Sequence, residues 1–196
     1  MNKKSKKFIF IGFIFIAFSV ISVICNEYEE IVAGKKSEDV LTVIKTNFDN
    51  SDLSIIKDDE IKEMQTINVN GYDYIGTITI PSLNLELPVM SDYDYDRLKI
   101  SPCRYYGSIY TDDLIICGHS YKTHFKYLSN LKQNDIVVFS DVNGEMYFYE
   151  VLEIEVLNPK DVSKMIDNEF DLTLYTCTND GLNRVTIRCN RLVNEM

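Results

Sequence analysis

The stretch LTLYTCTNDGLNRVTIRC, residues 172–189, sets a thiol and a guanidinium at the two lips of one hairpin. Side chains alternate faces along a strand, so Leu172, Leu174 and Thr176 point one way while Thr173, Tyr175 and Cys177 point the other. Beyond the polar loop 178–183, Val185, Ile187 and Cys189 share one face and Arg184, Thr186 and Arg188 the other. If the leucines and the Val/Ile/Cys set enter a common core, Cys177, Arg184 and Arg188 share the opposite face. Cys177 and Arg184 then sit on neighbouring strands about 4.8 Å apart. A guanidinium beside a thiol favours the thiolate, which is the nucleophilic form. The same cation can hold the oxyanion formed when sulfur attacks a carbonyl. The hairpin alone leaves a second reading open, a buried structural cysteine beside a solvated arginine.

Thiol chemistry on an amide also needs an acid for the leaving amine, and histidine titrates in the useful range. The chain has 2 histidines. His119 follows the apolar run LIIC and a glycine, which places it at a strand end where backbone is exposed and close approach is possible. A satisfied, partly buried imidazole is the alternative there. His124, in KTHF, is expected to be an exposed surface imidazole. Metal binding finds little support, because Cys177 and Cys189 fall on opposite faces and no paired Cys-x-x-Cys or His-x-x-x-His spacing occurs. Phosphate-binding glycine loops and Gly-x-Ser-x-Gly elbows are also missing. No cofactor or metal is expected.

The elements that must hold these residues begin with an anchor. Residues 8–25, FIFIGFIFIAFSVISVIC, contain no charge and as a helix reach roughly 27 Å, near the thickness of a bilayer core. Lys3, Lys4, Lys6 and Lys7 mark the cytoplasmic flank, since positive charge near a span resists translocation. A cleaved signal peptide would want a shorter apolar core and an A-x-A-like site, which SVISVICNEYEE lacks. Ile24, where a small residue would be needed, argues against a lipidated Cys25. Taking those four lysines from the 20 basic residues leaves 16 against 30 acidic, a balance of −14 outside, and no basic patch suggests nucleic acid. Of the 5 cysteines, the four outside the anchor form an even set that could pair. Cys117 and Cys189, however, lie in apolar strand patterns where free cysteine behaves as a small hydrophobe. Cys103, in the loop SPCRYYG, is ambiguous.

Residues 26–70 are polar and acidic, with Ile31, Val40, Val43 and Ile44 at loosely helical spacing, and predict a partly helical juxtamembrane stalk or a flexible linker. Strands follow. YIGTITI and LNLELPV alternate around a Pro81-Ser82 turn, LIIC is a buried strand, and Asn143-Gly144 turns a hairpin. DYDYDRLKIS is expected to be a short helix or an irregular segment, and short helices are expected in THFKYLSNL and PKDVSKMIDNEF. Seven or eight strands with a few short helices in residues 71–196 fit a closed β-barrel or a sandwich.

YIGTITIPSLNLELPV, SPCRYYGSIYTDDLIICGHSY and the closing hairpin, taken together, resemble the successive signatures of the sortases, membrane-anchored cysteine transpeptidases of Gram-positive bacteria. The resemblance covers roughly Tyr74 to Leu192. It implies a closed sortase-type β-barrel behind an N-terminal transmembrane helix, with a tail at 1–7, an anchor at 8–25, a stalk at 26–70 and the catalytic domain at 71–196. By that resemblance Cys177 is the nucleophile, His119 the general acid or base and Arg184 the oxyanion and substrate clamp. Tyr175, Thr176 and Arg188 beside them are expected to contact substrate. The implied partners are surface proteins bearing a Leu-Pro-x-Thr-Gly-like sorting signal, and an amine of a peptidoglycan precursor or pilin as acceptor. The implied location is the cell membrane, single-pass, with the N-terminus cytoplasmic and the catalytic domain outside. A thiol peptidase that gives the acyl group to water, or a non-catalytic surface binding module, are the competing readings.

Overall fold

Alternating apolar residues put one face of each strand into a common interior, and the chain closes that interior into a barrel. The computed structural model describes residues 3–48 and 63–192. Along the chain run α1 (Lys3–Phe48), β1 (Ile67–Val69), β2 (Tyr72–Ile80), β3 (Leu85–Met90), α2 (Tyr95–Leu98), β4 (Cys103–Tyr106), β5 (Leu114–Cys117), β6 (Ile136–Asp141), β7 (Met146–Leu157), α3 (Val162–Ile166), β8 (Leu172–Cys177) and β9 (Arg184–Arg191). The sheet order is β1-β2-β3-β4-β5-β8-β9-β7-β6, and a pairing of β6 with β2 closes it. Eight strands, β2 to β9, thus form the barrel, and β1 is a short arm on β2. This is the closed, strand-rich fold expected from the sequence.

Ile75, Ile78, Ile80, Leu114, Ile116, Phe125, Phe139, Leu174 and Ile187 fill the interior with no exposed surface. Each such side chain contributes about 1.5–3 kcal/mol by leaving water. Outside the wall, Ile115, Leu157 and Met165 make a separate cluster under the segment that carries α3. The opposite parity of Ile115 and Cys117 to Leu114 and Ile116 creates this second, outward apolar face, on which the candidate site lies.

Two local expectations change. SPCRYYG, read as a loop, contains strand β4, which pairs with β5 in antiparallel register, Cys103 opposite Cys117. THFKYLSNL forms turns and one short 3-10 turn at Leu128–Asn130 rather than an α-helix. In the region read as a partly helical stalk, residues 26–48 are helix, and residues 49–62 lie outside the described residues. α1 runs unbroken for 46 residues, long and apolar enough to cross a membrane near the N-terminus, and then packs on the barrel through Glu30, Ala33, Ser37, Val40 and Ile44. The short β1 also falls in the region read as stalk.

Candidate active site

The register of two strand pairs assembles the site. β5 and β8 are parallel, with Cys117 beside Tyr175, and the Gly118 N–H donates to Tyr175 O at 3.0 Å. His119 lies two residues beyond Cys117 and Cys177 two residues beyond Tyr175, so the two stand at the ends of adjacent strands. Across the hairpin Cys177 is the direct cross-strand partner of Arg184. The backbone registers therefore set His119, Cys177 and Arg184 at one rim, and all three residues are half-buried.

Local chemistry fixes each member. A Cβ at position 118 would lie 2.3 Å from the ring of Phe125, so only glycine lets the fully buried Phe125 pack under the strand end that carries His119. The loop between Cys177 and Arg184 bonds to itself: Thr178 N–H donates to Asn183 O (2.9 Å), Asn183 N–H to Thr178 Oγ1 (3.0 Å) and Leu182 N–H to Asp180 Oδ1 (3.0 Å). Arg184 Nη1 donates to Asn183 O at 3.1 Å, which holds the guanidinium at the hairpin mouth.

The environment separates the cysteines. All are free thiols. Burial pushes Cys103 up to about 12 and raises Cys117 and Cys189 further, so these three remain protonated hydrophobes. Cys177 alone among the outer four is not buried. Burial lowers His119 below the ordinary imidazole value, which keeps it neutral near pH 7. Among the described residues no group of three or more His, Cys, Asp or Glu converges as a metal site.

Tyr175, on the same face as Cys177, ends an edge-to-face aromatic column, Tyr93–Tyr105–Tyr175, with ring centroids 5.6 Å apart at each step. A cleft lined by Ser91, Asp92, Tyr93, Arg104, Tyr105, Tyr106 and Gly107 opens at its far end. The other two residues expected to touch substrate are engaged inside the domain. Thr176 is buried on the inner face, and its hydroxyl donates to Gly118 O at 2.8 Å. Arg188 shares the outward face as the parity required, but it is 2% exposed. It donates to Glu155 (2.8 Å), Thr173 Oγ1 (2.9 Å) and Lys164 O (2.7 Å), and so it pins the α3 segment to the barrel. His124, expected on the surface, is 1% exposed. Tyr105 belongs to the tyrosine-rich stretch SPCRYYGSIY, which the sequence offers either as a groove lining or as a cap on a barrel end; Tyr93 and Tyr121 were passed over, and the only signal for them is tyrosine density in SDYDYD and GHSY.

A family model described as Sortase domain matches residues 78–192, more than half of the chain. The chain belongs to the sortase family. Sortase D of Bacillus subtilis is 28% identical over 107 residues, 52% of this chain and 53% of that protein, so the chain spans about half the length of this curated relative. Among solved structures, sortase A from Corynebacterium diphtheriae matches with a TM-score of 0.56 at 27% identity over 63% of each chain. Sortase C1 from Streptococcus agalactiae matches with a TM-score of 0.56 at 29% identity over 65% of this chain and 72% of that one.

Proposed function

We propose that this protein is a membrane-anchored cysteine transpeptidase acting on sorting signals of the Leu-Pro-x-Thr-Gly kind. The observation that carries the reading is the convergence of His119, Cys177 and Arg184 at one rim through the β5–β8 and β8–β9 registers. His119 takes the proton of the Cys177 thiol, the resulting thiolate adds to the carbonyl carbon after threonine, and the oxygen that becomes negative is held by Arg184. The C–N bond then breaks, His119 gives a proton to the leaving amine, and a thioester remains on Cys177. An incoming amine attacks the thioester, loses its proton to His119 and leaves with the acyl group, which regenerates the thiolate. Tyr175 and the aromatic column beside it line the approach to the thiol. The acceptor is an amine of a peptidoglycan precursor or of a pilin. Lys3, Lys4, Lys6 and Lys7 hold the N-terminus in the cytoplasm and place the barrel outside.

The test incubates the protein with a Leu-Pro-x-Thr-Gly peptide, with and without an amine acceptor, and weighs protein and peptides. A mass increase on Cys177 equal to the acyl fragment, discharged to a ligated product when amine is added, is the expected result. Discharge to water at a rate indifferent to amine identifies a thiol peptidase. No adduct with any surface peptide, together with an unreactive Cys177, leaves only the binding-module reading.

A further inference from the structure

We infer that the barrel-packed half of α1 belongs to the catalytic apparatus, fixing the imidazole of His119 through an aromatic column, His119–Tyr121–His124, whose foot rests on Ser37 of the helix. The inference rests on His119 acting in the reaction proposed above. A catalytic histidine is ordinarily oriented by a hydrogen bond from its second ring nitrogen to a third group. Here the Nδ1 of His119 is buried and has no hydrogen-bond partner among the described residues. The ring plane is set instead by a stack. Tyr121, 6% exposed, lies on His119 with centroids 3.9 Å apart and planes 23° from parallel, and its other neighbour is His124 at 5.5 Å.

The column is held from below by α1. Ser37 Oγ donates to Ile100 O at 3.0 Å, so its lone pairs face His124 Nε2 at 3.5 Å, and the proton in that contact belongs to the imidazole. Gly34 lets the helix come this close: a Cβ there would lie 2.8 Å from Thr123 Cγ2. The Lys122 N–H donates to the Glu30 carboxylate, Thr123 Oγ1 donates to Glu30 O at 3.3 Å, and Lys122 Nζ reaches Glu27 at 2.7 Å. The loop 118–127 thus draws its support from the helix that continues into the membrane span. Tyr121, His124 and Ser37 are positioning residues; none needs to touch substrate.

The experiment uses the full chain in detergent and compares Tyr121→Phe, Tyr121→Leu and Gly34→Leu with the parent by peptide cleavage against pH and by thermal melting. Tyr121→Phe keeps the flat face and should stay within about 3-fold of parent in kcat. Tyr121→Leu keeps the bulk and loses the face, and should lower kcat on the order of 10- to 100-fold with KM little changed, the scale of a misplaced catalytic group. Its pH profile should also move, the His119 limb shifting to higher pH as the imidazole is uncovered; the charges facing that ring, Glu29 and Glu30 of α1 and Lys99 beside α2, stay in place. Gly34→Leu, which wedges the helix off the loop, should reproduce the kcat loss. If it does not fold, Ser37→Ala replaces it, with a several-fold loss expected. Parent-like kcat and an unmoved pH limb in Tyr121→Leu, or equal losses in Tyr121→Phe and Tyr121→Leu, overturn the inference. A parent protein that forms no acyl adduct at Cys177 defeats the proposed function instead. In that case the column is judged by NMR titration of His119 in Tyr121→Leu, where an unmoved imidazole signal overturns it independently.

Discussion

Arg184 and Arg188 point from one face of β9 into different surroundings, and their substitutions should separate. Arg184 opposes Cys177 across the hairpin, so Arg184→Ala should cost on the order of 100- to 1000-fold in acylation rate while Cys177 remains alkylatable. Lysine at 184 should rescue poorly, because it keeps the charge and loses the planar fork. Arg188 is sealed by Glu155, Thr173 and the α3 carbonyls, so Arg188→Met should lower urea stability by roughly 2–4 kcal/mol and alter the rate of folded enzyme by less than about 10-fold. A catalytic loss at 188 as large as that at 184, in protein of parental stability, contradicts this division. Cys177 should react with iodoacetamide before Cys103, Cys117 or Cys189, as peptide mapping of the labelled protein can establish. His124 makes a pH prediction. Burial lowers it from 6.5 to about 4, so the unfolded chain binds its proton first. Its contribution to stability is complete above pH 6.5 and is lost as pH falls toward 4, a span worth about 3 kcal/mol. His124→Phe should flatten that stretch of a stability curve measured by urea unfolding between pH 7 and pH 4, and an unchanged slope would show that the acid loss comes from other groups. The pairing of Cys177 with Arg184 was legible because strand parity and a short hairpin are local. The fates of Thr176, Arg188 and His124 were not, because their partners, Gly118 O, Lys164 O and Ser37, come from distant parts of the chain.

At the scale of elements, α1 shows what periodicity alone conceals. The sequence offers Ile31, Val40, Val43 and Ile44 as the apolar helix positions, yet Ile31 is 62% and Val43 41% exposed. The packed face is instead Glu30, Ala33, Ser37, Val40 and Ile44, a heptad-like spacing in which small and polar residues replace apolar ones because the helix approaches a loop closely. A chain beginning at Asn26 keeps that face and should melt like the parent domain. A chain beginning at residue 63 loses it and uncovers Val69, Tyr74 and Met90, which pack with Val40 and Ile44. Burying two such side chains is worth about 3–6 kcal/mol, so the shorter chain should melt at least about 6 °C lower. Equal melting temperatures by calorimetry would show that the helix adds nothing to the barrel. Strand β4 was illegible for a related reason: Pro102 and Gly107 bracket its four residues, which look like a loop until Cys103 is seen opposite Cys117.

At the scale of the whole molecule, an acidic barrel is carried on an apolar rod, with the exposed face of Phe8, Phe13, Phe15 and Phe18 awaiting lipid. The full chain should sediment with membranes and resist alkaline and high-salt washes, coming off only in detergent; recovery from the medium trimmed after residue 25 would mean that the segment is cleaved. The closed sheet has a further consequence, in the order of assembly. β8 and β9 lie between β5 and β7, yet among the nine strands described they come last in the chain. Until they arrive, β5 and β7 are open edges of an incomplete sheet, and the parallel β5–β8 pairing must close a loop of 58 residues, a slow step for contacts so far apart. The final hairpin is thus the keystone of the barrel, and it is also the piece that carries the thiol and the guanidinium. A nascent chain that has reached only β7 lacks both Cys177 and Arg184, and the proposed centre comes into being only as the last gap in the wall is sealed.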